Sequence, residues 1–400
     1  MFQPAQRLSN VHVTASAAMT RKARELRAAG IAVVSLSSGE PDFATPRHAI
    51  EAAYKAALAG DTKYPPQDGT PALKAAIRRK FQRDNKIDYA NDEVMVSNGS
   101  KQIIYNAFAA SLNDGDEVIV PVPGWLSYAE QAKLMGGVPV QVSCPENNRF
   151  KLRPEDLDAA ITPRTKWVVL NFPNNPTGAA CTRAEMRALC DVLLKHPHVM
   201  ILADDIYEHL RYDGAEFCTP AEIEPALKDR TLTVNGVSKA YAMTGWRVGF
   251  CGGPAPLIRA MTNIQGQIGG GISTVGQAAA AAALDGPQGV VATCVAEYAR
   301  RRDLVVGWLR EAPGIACHKP EGAFYVYANL AGCLDKTSAG GKRIATDTDF
   351  VQALLEEKHV AAVQGSAYGM APYLRLSYAT DLETLREGCA RIRAFCEGLR

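Results

Sequence analysis

The chain has 400 residues, 47% of them hydrophobic and 22% charged, a balance that excludes the disordered and fibrous classes. Lysine plus arginine number 44 against 42 acids with no long run of one sign, which argues against nucleic-acid and polybasic membrane binding and for small-molecule partners. At this length a single core usually gives way to two, so a large domain and a smaller one are expected.

Met1 to Asn10 lacks the charged-then-apolar pattern of a signal peptide, and no apolar stretch approaches the ~18 residues that span a bilayer. Ten cysteines scattered from Cys144 to Cys396 form no C-x-x-C pair, which suits reduced thiols in a cytoplasm.

From about residue 94 to 254, short apolar runs alternate with helical patterns. Runs at Val94 to Val96, Glu117 to Val120, Lys166 to Leu170, Val199 to Ala203, Thr231 to Val234 and Val248 to Phe250 read as strands buried on both faces. Amphipathic segments such as Arg183 to Lys195 lie between them. Strands alternating with helices predict an α/β domain with a mostly parallel sheet, whose ligands bind beyond the carboxyl ends of the strands. Motifs just after those strands therefore carry the functional reading.

After the first strand comes Ser97-Asn98-Gly99-Ser100-Lys101, small residues opening a helix, where backbone N–H groups can approach an anion. It matches neither nucleotide-binding glycine motif. Trp125, after the second strand, offers a flat face for a ring. Asn171-Phe-Pro-Asn174-Asn175-Pro176-Thr-Gly178 follows the third; prolines and glycine fix its backbone, and an amide held there can bond a phenolic oxygen or a carboxylate.

Asp204-Asp205-Ile-Tyr207-Glu208 ends the fourth strand. Because strand side chains alternate, only one aspartate can reach a given ligand. A carboxylate there can keep a pyridine nitrogen protonated; a helix cap is the plainer reading. Ser238-Lys239 and Gly245-Trp246-Arg247 follow the fifth strand. A lysine desolvated at a strand end can form an imine with an aldehyde, and Arg247 can clamp a phosphate. Read alone, Ser-Lys is an ordinary surface pair.

Beyond residue 290 the texture becomes α+β: helix Ala296 to Arg310, strand Ala323 to Val326, helix Asp349 to Lys358, strand Tyr373 to Ser377 and helix Leu382 to Leu399. Gly332 to Thr348 reads as a surface loop. Arg375, on the second of these strands, can grip a carboxylate bidentately.

Together these strings resemble class I aminotransferases of the fold-type I pyridoxal-phosphate family, most nearly the bacterial aspartate aminotransferase branch. Ser38-Gly-Glu-Pro-Asp-Phe43, Lys63-Tyr64 before Gly69, Asn174-Asn-Pro-Thr-Gly178, Asp205-Ile-Tyr-Glu-His-Leu210, Ala242-Met-Thr-Gly-Trp-Arg247, Glu321-Gly-Ala-Phe-Tyr325 and Arg375-Leu-Ser-Tyr-Ala379 occur in family order. The resemblance implies a large pyridoxal-phosphate domain over 47–290, a small domain over 291–400, and an arm, 1–46, that joins the small domain.

It also implies roles. Lys239 becomes the Schiff-base lysine and the base of the 1,3-proton shift, Asp204 the partner of the pyridine nitrogen, and Tyr207 and Asn175 the partners of the ring oxygen. Trp125 stacks on the ring. The phosphate takes Ser100, the Lys101 backbone, Ser238 and Arg247, plus Tyr64 from the partner subunit of a homodimer. Gly39, Asn175 and Arg375 hold the substrate α-carboxylate, beside Trp125, and the Lys101 side chain approaches the distal carboxylate of a dicarboxylic substrate.

Four departures bear on selectivity: Gly99-Ser100-Lys101 stands where relatives often have Gly-Gly-Lys, Gly124-Trp125 stands where they have a Tyr-Trp pair, the tract Gly269-Gly270-Gly271 replaces hydroxyl-bearing residues, and His12-Val-Thr-Ala-Ser16 replaces Lys-Pro-Ser-Ala-Thr. The expected function is transfer of an amino group from an aspartate-like L-amino acid to a 2-oxo acid such as 2-oxoglutarate. The alternatives are aromatic or prephenate-type substrates, a β-lyase or decarboxylase reaction on the same scaffold, and a non-catalytic binding protein.

Overall fold

The computed structural model describes residues 2–9, 11 and 15–400, so His12 lies outside the described residues. The six anticipated runs form strands, with a seventh beside them: β1 Val94–Ser97, β2 Glu117–Val122, β3 Val138–Ser143, β4 Thr165–Leu170, β5 Met200–Asp204, β6 Thr231–Gly236 and β7 Gly249–Gly252. They make one sheet in the order β1-β7-β6-β5-β4-β2-β3. Neighbours from β6 through β3 pair in parallel, whereas β7 runs antiparallel to both β1 and β6. The sheet is therefore mostly parallel, as its buried β-branched runs predict.

β3 escaped the sequence reading for a physical reason. It is an edge strand, half exposed, preceded by Gly136-Gly137 and containing Pro139, which an edge tolerates because one side of its backbone needs no ladder bonds. Elsewhere the sheet is different: every residue of the inner strands β6 and β7 is buried, and so is every residue of β1, at the opposite edge. Each Val, Leu or Ile removed from water there contributes roughly 1.5–3 kcal/mol.

Helices cover both faces. Arg183–Lys195 begins on a capping box: Glu185 N–H donates to the Thr182 hydroxyl at 3.2 Å, and Thr182 N–H donates to the Glu185 carboxylate at 2.8 Å. Its buried face, Met186, Leu189, Cys190, Val192 and Leu193, repeats at helical spacing. The alanine run sits in Thr274–Asp285, whose small side chains allow close packing against Arg47–Leu58.

The C-terminal part has its own antiparallel sheet, ordered Val363–Gln364, Tyr373–Ser377, Tyr325–Asn329, Ala316–Cys317. The arm strand Val34–Ser35 pairs in parallel with Val360–Ala361, so the first residues of the chain are tied to its last hundred. The helix expected from Ala296 starts earlier, spanning Gly289–Arg310. The strand expected from Ala323 runs instead over Tyr325–Asn329. The expected loop at 332–348 contains a short antiparallel pair, Lys336–Thr337 with Arg343–Ile344, and its last residues open the helix Asp347–Lys358, capped by Thr346. Two-residue strands leave no periodicity to read.

Candidate active site

A cavity of about 710 Å³ opens where the carboxyl ends of the parallel strands meet the arm and the small sheet. Every site residue expected from the sequence lines it except Tyr64, which is fully exposed on its own chain. β7 runs the other way, so its beginning comes to this edge and delivers Arg247; Gly249 is paired with both Ser97 and Gly236.

One end of the cavity is an anion cradle. Helix Ser100–Ser111 starts there, leaving first-turn N–H groups without intrahelical partners. The Ser100 hydroxyl donates to Asn235 O at 2.8 Å, and the Arg247 guanidinium is held by the carbonyls of Thr244 and Asn98 at 2.9 and 3.2 Å. Gly99 has φ +78°, and a Cβ there would strike that guanidinium; a Cβ on Gly249 would strike the Ser100 backbone. Glycine at both positions lets cation and helix start converge, and Ser238 adds a buried residue with a hydroxyl.

Deeper in, Asp204 ends β5. Its side chain faces the cavity, while Asp205 turns the other way into a buried cluster with Glu208, Lys80 and Thr219, as strand alternation requires. Tyr128 donates to Asp204 Oδ2 at 2.6 Å, and Asn171 Nδ2 donates to Asp204 O at 2.8 Å. Burial raises the Asp204 carboxyl to about 6, against the lowering effects of Tyr128, the Ile206 N–H and Lys239.

Lys239 follows β6, and its ammonium donates to Gly39 O at 2.6 Å. Burial, with Arg375 and Arg247 near, lowers it to about 8, while Glu40 and Asp204 pull the other way. A fraction of this amine is thus neutral near pH 8, as a nucleophile or base requires. The arm that supplies Gly39 is itself anchored: Asp42 pairs with Arg301 at 2.8 Å, and Thr45 Oγ1 accepts from Trp246 Nε1 at 3.0 Å.

Across the cavity, Arg375 is only 2% exposed. It donates to Ser37 O at 2.5 Å and Asn175 Oδ1 at 3.3 Å, both neutral, and its Nε has no partner among the described residues. Rings of Tyr325 and Tyr368 flank it at 4.5 and 5.2 Å. A buried guanidinium with spare donors and only neutral partners has the chemistry to receive a carboxylate. Asn175 is held for this by its own N–H, which donates to Asn171 Oδ1 at 3.1 Å.

Tyr207 bonds the Tyr325 hydroxyl at 2.8 Å, and burial keeps its phenol well above the usual range, so it stays a neutral donor. Lys101 holds its ammonium 4.7 Å from the Trp125 ring centroid and is lowered by burial and by Arg247. Sequence reasoning gave no role to Tyr128, Tyr325, Tyr368 or Glu40, which also line the cavity. The Trp125-x-x-Tyr128 spacing was the available signal for Tyr128. As a donor set, the cavity suits a ligand that combines a phosphate, a protonatable ring nitrogen and an amine-reactive carbonyl, together with a carboxylate beside it.

The chain matches the family model described as aminotransferase class I and II over residues 31–392. It is 56% identical over 392 residues to an aspartate/prephenate aminotransferase of Cereibacter sphaeroides, covering 98% of each chain. It is 52% identical over 398 residues to an aspartate aminotransferase of Rhizobium meliloti, covering 100% of this chain and 97% of that one. Among solved structures, the aspartate aminotransferase from Rhizobium meliloti superposes with a TM-score of 0.97 at 51% identity, covering 100% of both chains. The Thermus thermophilus aspartate aminotransferase with maleate does so with a TM-score of 0.92 at 38% identity, covering 99% of this chain and 100% of that one.

Proposed function

The chain belongs to the class I and II aminotransferases and is a transaminase, and from that premise we propose that it uses pyridoxal phosphate to move the amino group of aspartate, or a similar dicarboxylic amino acid, to a 2-oxo acid such as 2-oxoglutarate. The observation that carries this is the Lys239 amine, lowered to about 8 in a cavity that also holds Asp204, Arg375 and the Ser100 cradle.

When bound, the cofactor supplies an aldehyde that takes the amino group and a ring that accepts the electrons of the broken Cα–H bond. Ser100, Ser238, Arg247 and the Lys101 backbone would hold its phosphate, Asp204 its ring nitrogen, Tyr207 and Asn175 its ring oxygen, and Trp125 its face. Lys239 Nζ would hold the cofactor's aldehyde and would carry a proton to and from the substrate Cα. Arg375 and Asn175, with the Gly39 backbone, orient the α-carboxylate so that the Cα–H bond meets that amine.

Lys101 is the candidate partner for a distal carboxylate. The names of the Rhizobium and Thermus relatives, the latter with maleate, favour an aspartate-like substrate. The name of the Cereibacter relative favours a second reading, prephenate-type acids, in the same site. A panel of amino donors against 2-oxoglutarate and oxaloacetate separates them. A new amino acid formed in stoichiometric amount is the expected product; free ammonia would instead mean a lyase.

The assembly we propose is a homodimer in which Tyr64 of each chain completes the phosphate site of the other. Supporting it, Ile50, Tyr54 and Leu58 expose one apolar stripe of helix Arg47–Leu58, and Tyr64 and Ile268 are exposed as well. We divide the chain into a cofactor domain, 47–290, and a small domain, 291–400 joined by 1–46, a division favoured by the pairing of Val34–Ser35 with Val360–Ala361. Ten buried free cysteines suit a reducing, cytoplasmic setting, and among the described residues no helix is long and apolar enough to cross a membrane.

A further inference from the structure

Tyr128 lies on helix Ser127–Leu134 and is almost fully buried. A phenylalanine would fill the same volume, so packing alone does not call for the hydroxyl. That hydroxyl donates to Asp204 Oδ2 at 2.6 Å. The other oxygen, Oδ1, takes a longer bond from Ile206 N–H at 3.3 Å and keeps a lone pair for a ligand in the cavity. Trp125 packs edge-on against the Tyr128 ring at 5.2 Å, and the Lys101 ammonium lies over Trp125, so the phenol is held from behind by cavity-lining residues.

Building on the assignment of Asp204 to the cofactor's ring nitrogen, we propose that Tyr128 is a positioning residue that keeps the Asp204 carboxylate ionised and turns its free oxygen toward that nitrogen. A carboxylate this deeply buried pays a desolvation cost that favours its neutral acid, and neutral Asp204 no longer stabilises a protonated ring. One charge-assisted hydrogen bond opposes that loss. The Tyr128 phenol is itself pushed well above its usual range, by burial first and then by Asp204, so it remains a donor at every working pH. The other titratable groups whose charge reaches Asp204 are Lys239 from beyond β6, Tyr207 from its own segment and, from the opposite side of the strand, Asp205. Among these, only Tyr128 donates a hydrogen bond to the Asp204 side chain.

The test compares the parent holoenzyme with Tyr128→Phe and with 3-fluorotyrosine incorporated at position 128, a more acidic phenol that donates more strongly. Losing the hydroxyl raises the pH at which Asp204 ionises, so the acid limb of kcat/KM against pH moves up by about one to two pH units. The fluorinated phenol moves it down. The affinity of the apo form for pyridoxal phosphate, read by absorbance titration, falls in Tyr128→Phe but not further when Tyr128→Phe is added to Asp204→Asn. A lower plateau with an unmoved acid limb, and no shift with 3-fluorotyrosine, would overturn the proposal; if Tyr128→Phe does not fold, the 3-fluorotyrosine arm decides. If Asp204→Asn keeps parental affinity and turnover, the assignment of Asp204 itself is wrong.

Discussion

Two buried cations, Lys80 and Arg375, are treated in opposite ways. Lys80, 1% exposed, is neutralised: it is ion-paired with Glu208, itself 2% exposed, and donates to Asn85 at 2.5 Å. Asn85 in turn donates to Glu208 at 2.7 Å, and His209 Nε2 lies 3.1 Å from the same carboxylate. Burial works against ionisation of Glu208, yet Lys80 and His209 hold it well below the usual range. Arg375, just as buried, meets only neutral oxygens and tyrosine faces. A buried charge answered within the protein is structural, and one left unanswered inside a cavity is a binding group.

Lys239 belongs with Arg375, since among the described residues the Gly39 carbonyl is the hydrogen-bond partner of its ammonium. On the proposed function the same amine anchors the cofactor and moves the proton, so Lys239→Ala is expected to remove at least about a thousandfold of turnover while thermal stability holds. Steady-state assays beside a melting curve check both halves, and a variant that turns over like the parent removes Lys239 from the chemistry.

Lys80→Met should do the reverse. It strands Glu208, so a loss of about 3–5 kcal/mol of stability is expected in denaturant titrations, with near-parental kinetic constants for the fraction that stays folded. Arg375→Ala is expected to lower kcat/KM about a hundredfold for every amino-acid substrate alike, since the α-carboxylate is common to all. A parental value for any good substrate would place the carboxylate elsewhere.

Asp204 carries the comparison over to a carboxylate. Its folded value, about 6, lies above the free value of 3.8, so burial favours the neutral acid and the fold loses stability as pH rises through about 6. The gap corresponds to about 3 kcal/mol at most. Asp204→Asn should therefore melt higher than the parent apo form at pH 8 but equally at pH 4, even as turnover falls. Equal melting at both values would mean that Asp204 is not strained in the fold.

The smallest expected effect is at Lys101. If its ammonium meets a distal carboxylate, Lys101→Ala should cut the preference for aspartate over alanine about tenfold and spare alanine. Competition kinetics with aspartate, alanine and phenylalanine read this directly, and unchanged ratios would move side-chain selection to another part of the cavity.

The α/β character, all six anticipated sheet strands to within two residues and the helix Arg183–Lys195 were legible because burial on both faces and a 3.6-residue repeat are local signals. Much of the cavity lining was legible too, since Ser100, Trp125, Asn175, Tyr207 and Lys239 follow strand ends and Asp204 closes one; Arg247 instead precedes β7, whose reversed direction only the folded sheet reveals. β3 and the hairpin inside 332–348 were not, because an exposed edge and two-residue strands carry no pattern.

By itself the sequence determined which chemical groups exist and that Asp204 and Asp205 must face apart. Which of the two faces the cavity was decided by the tertiary structure, because front and back depend on which helices cover the sheet. The same holds for Arg375, which shares the cavity with Lys239 only because the C-terminal sheet and the arm close over strand ends more than a hundred residues away. The Tyr128 bond to Asp204 joins two side chains 76 positions apart, a distance over which no local pattern operates. Whether a buried charge is answered by a neighbour or left for a ligand is likewise a property of packing, because it depends on partners that the chain brings together only when folded.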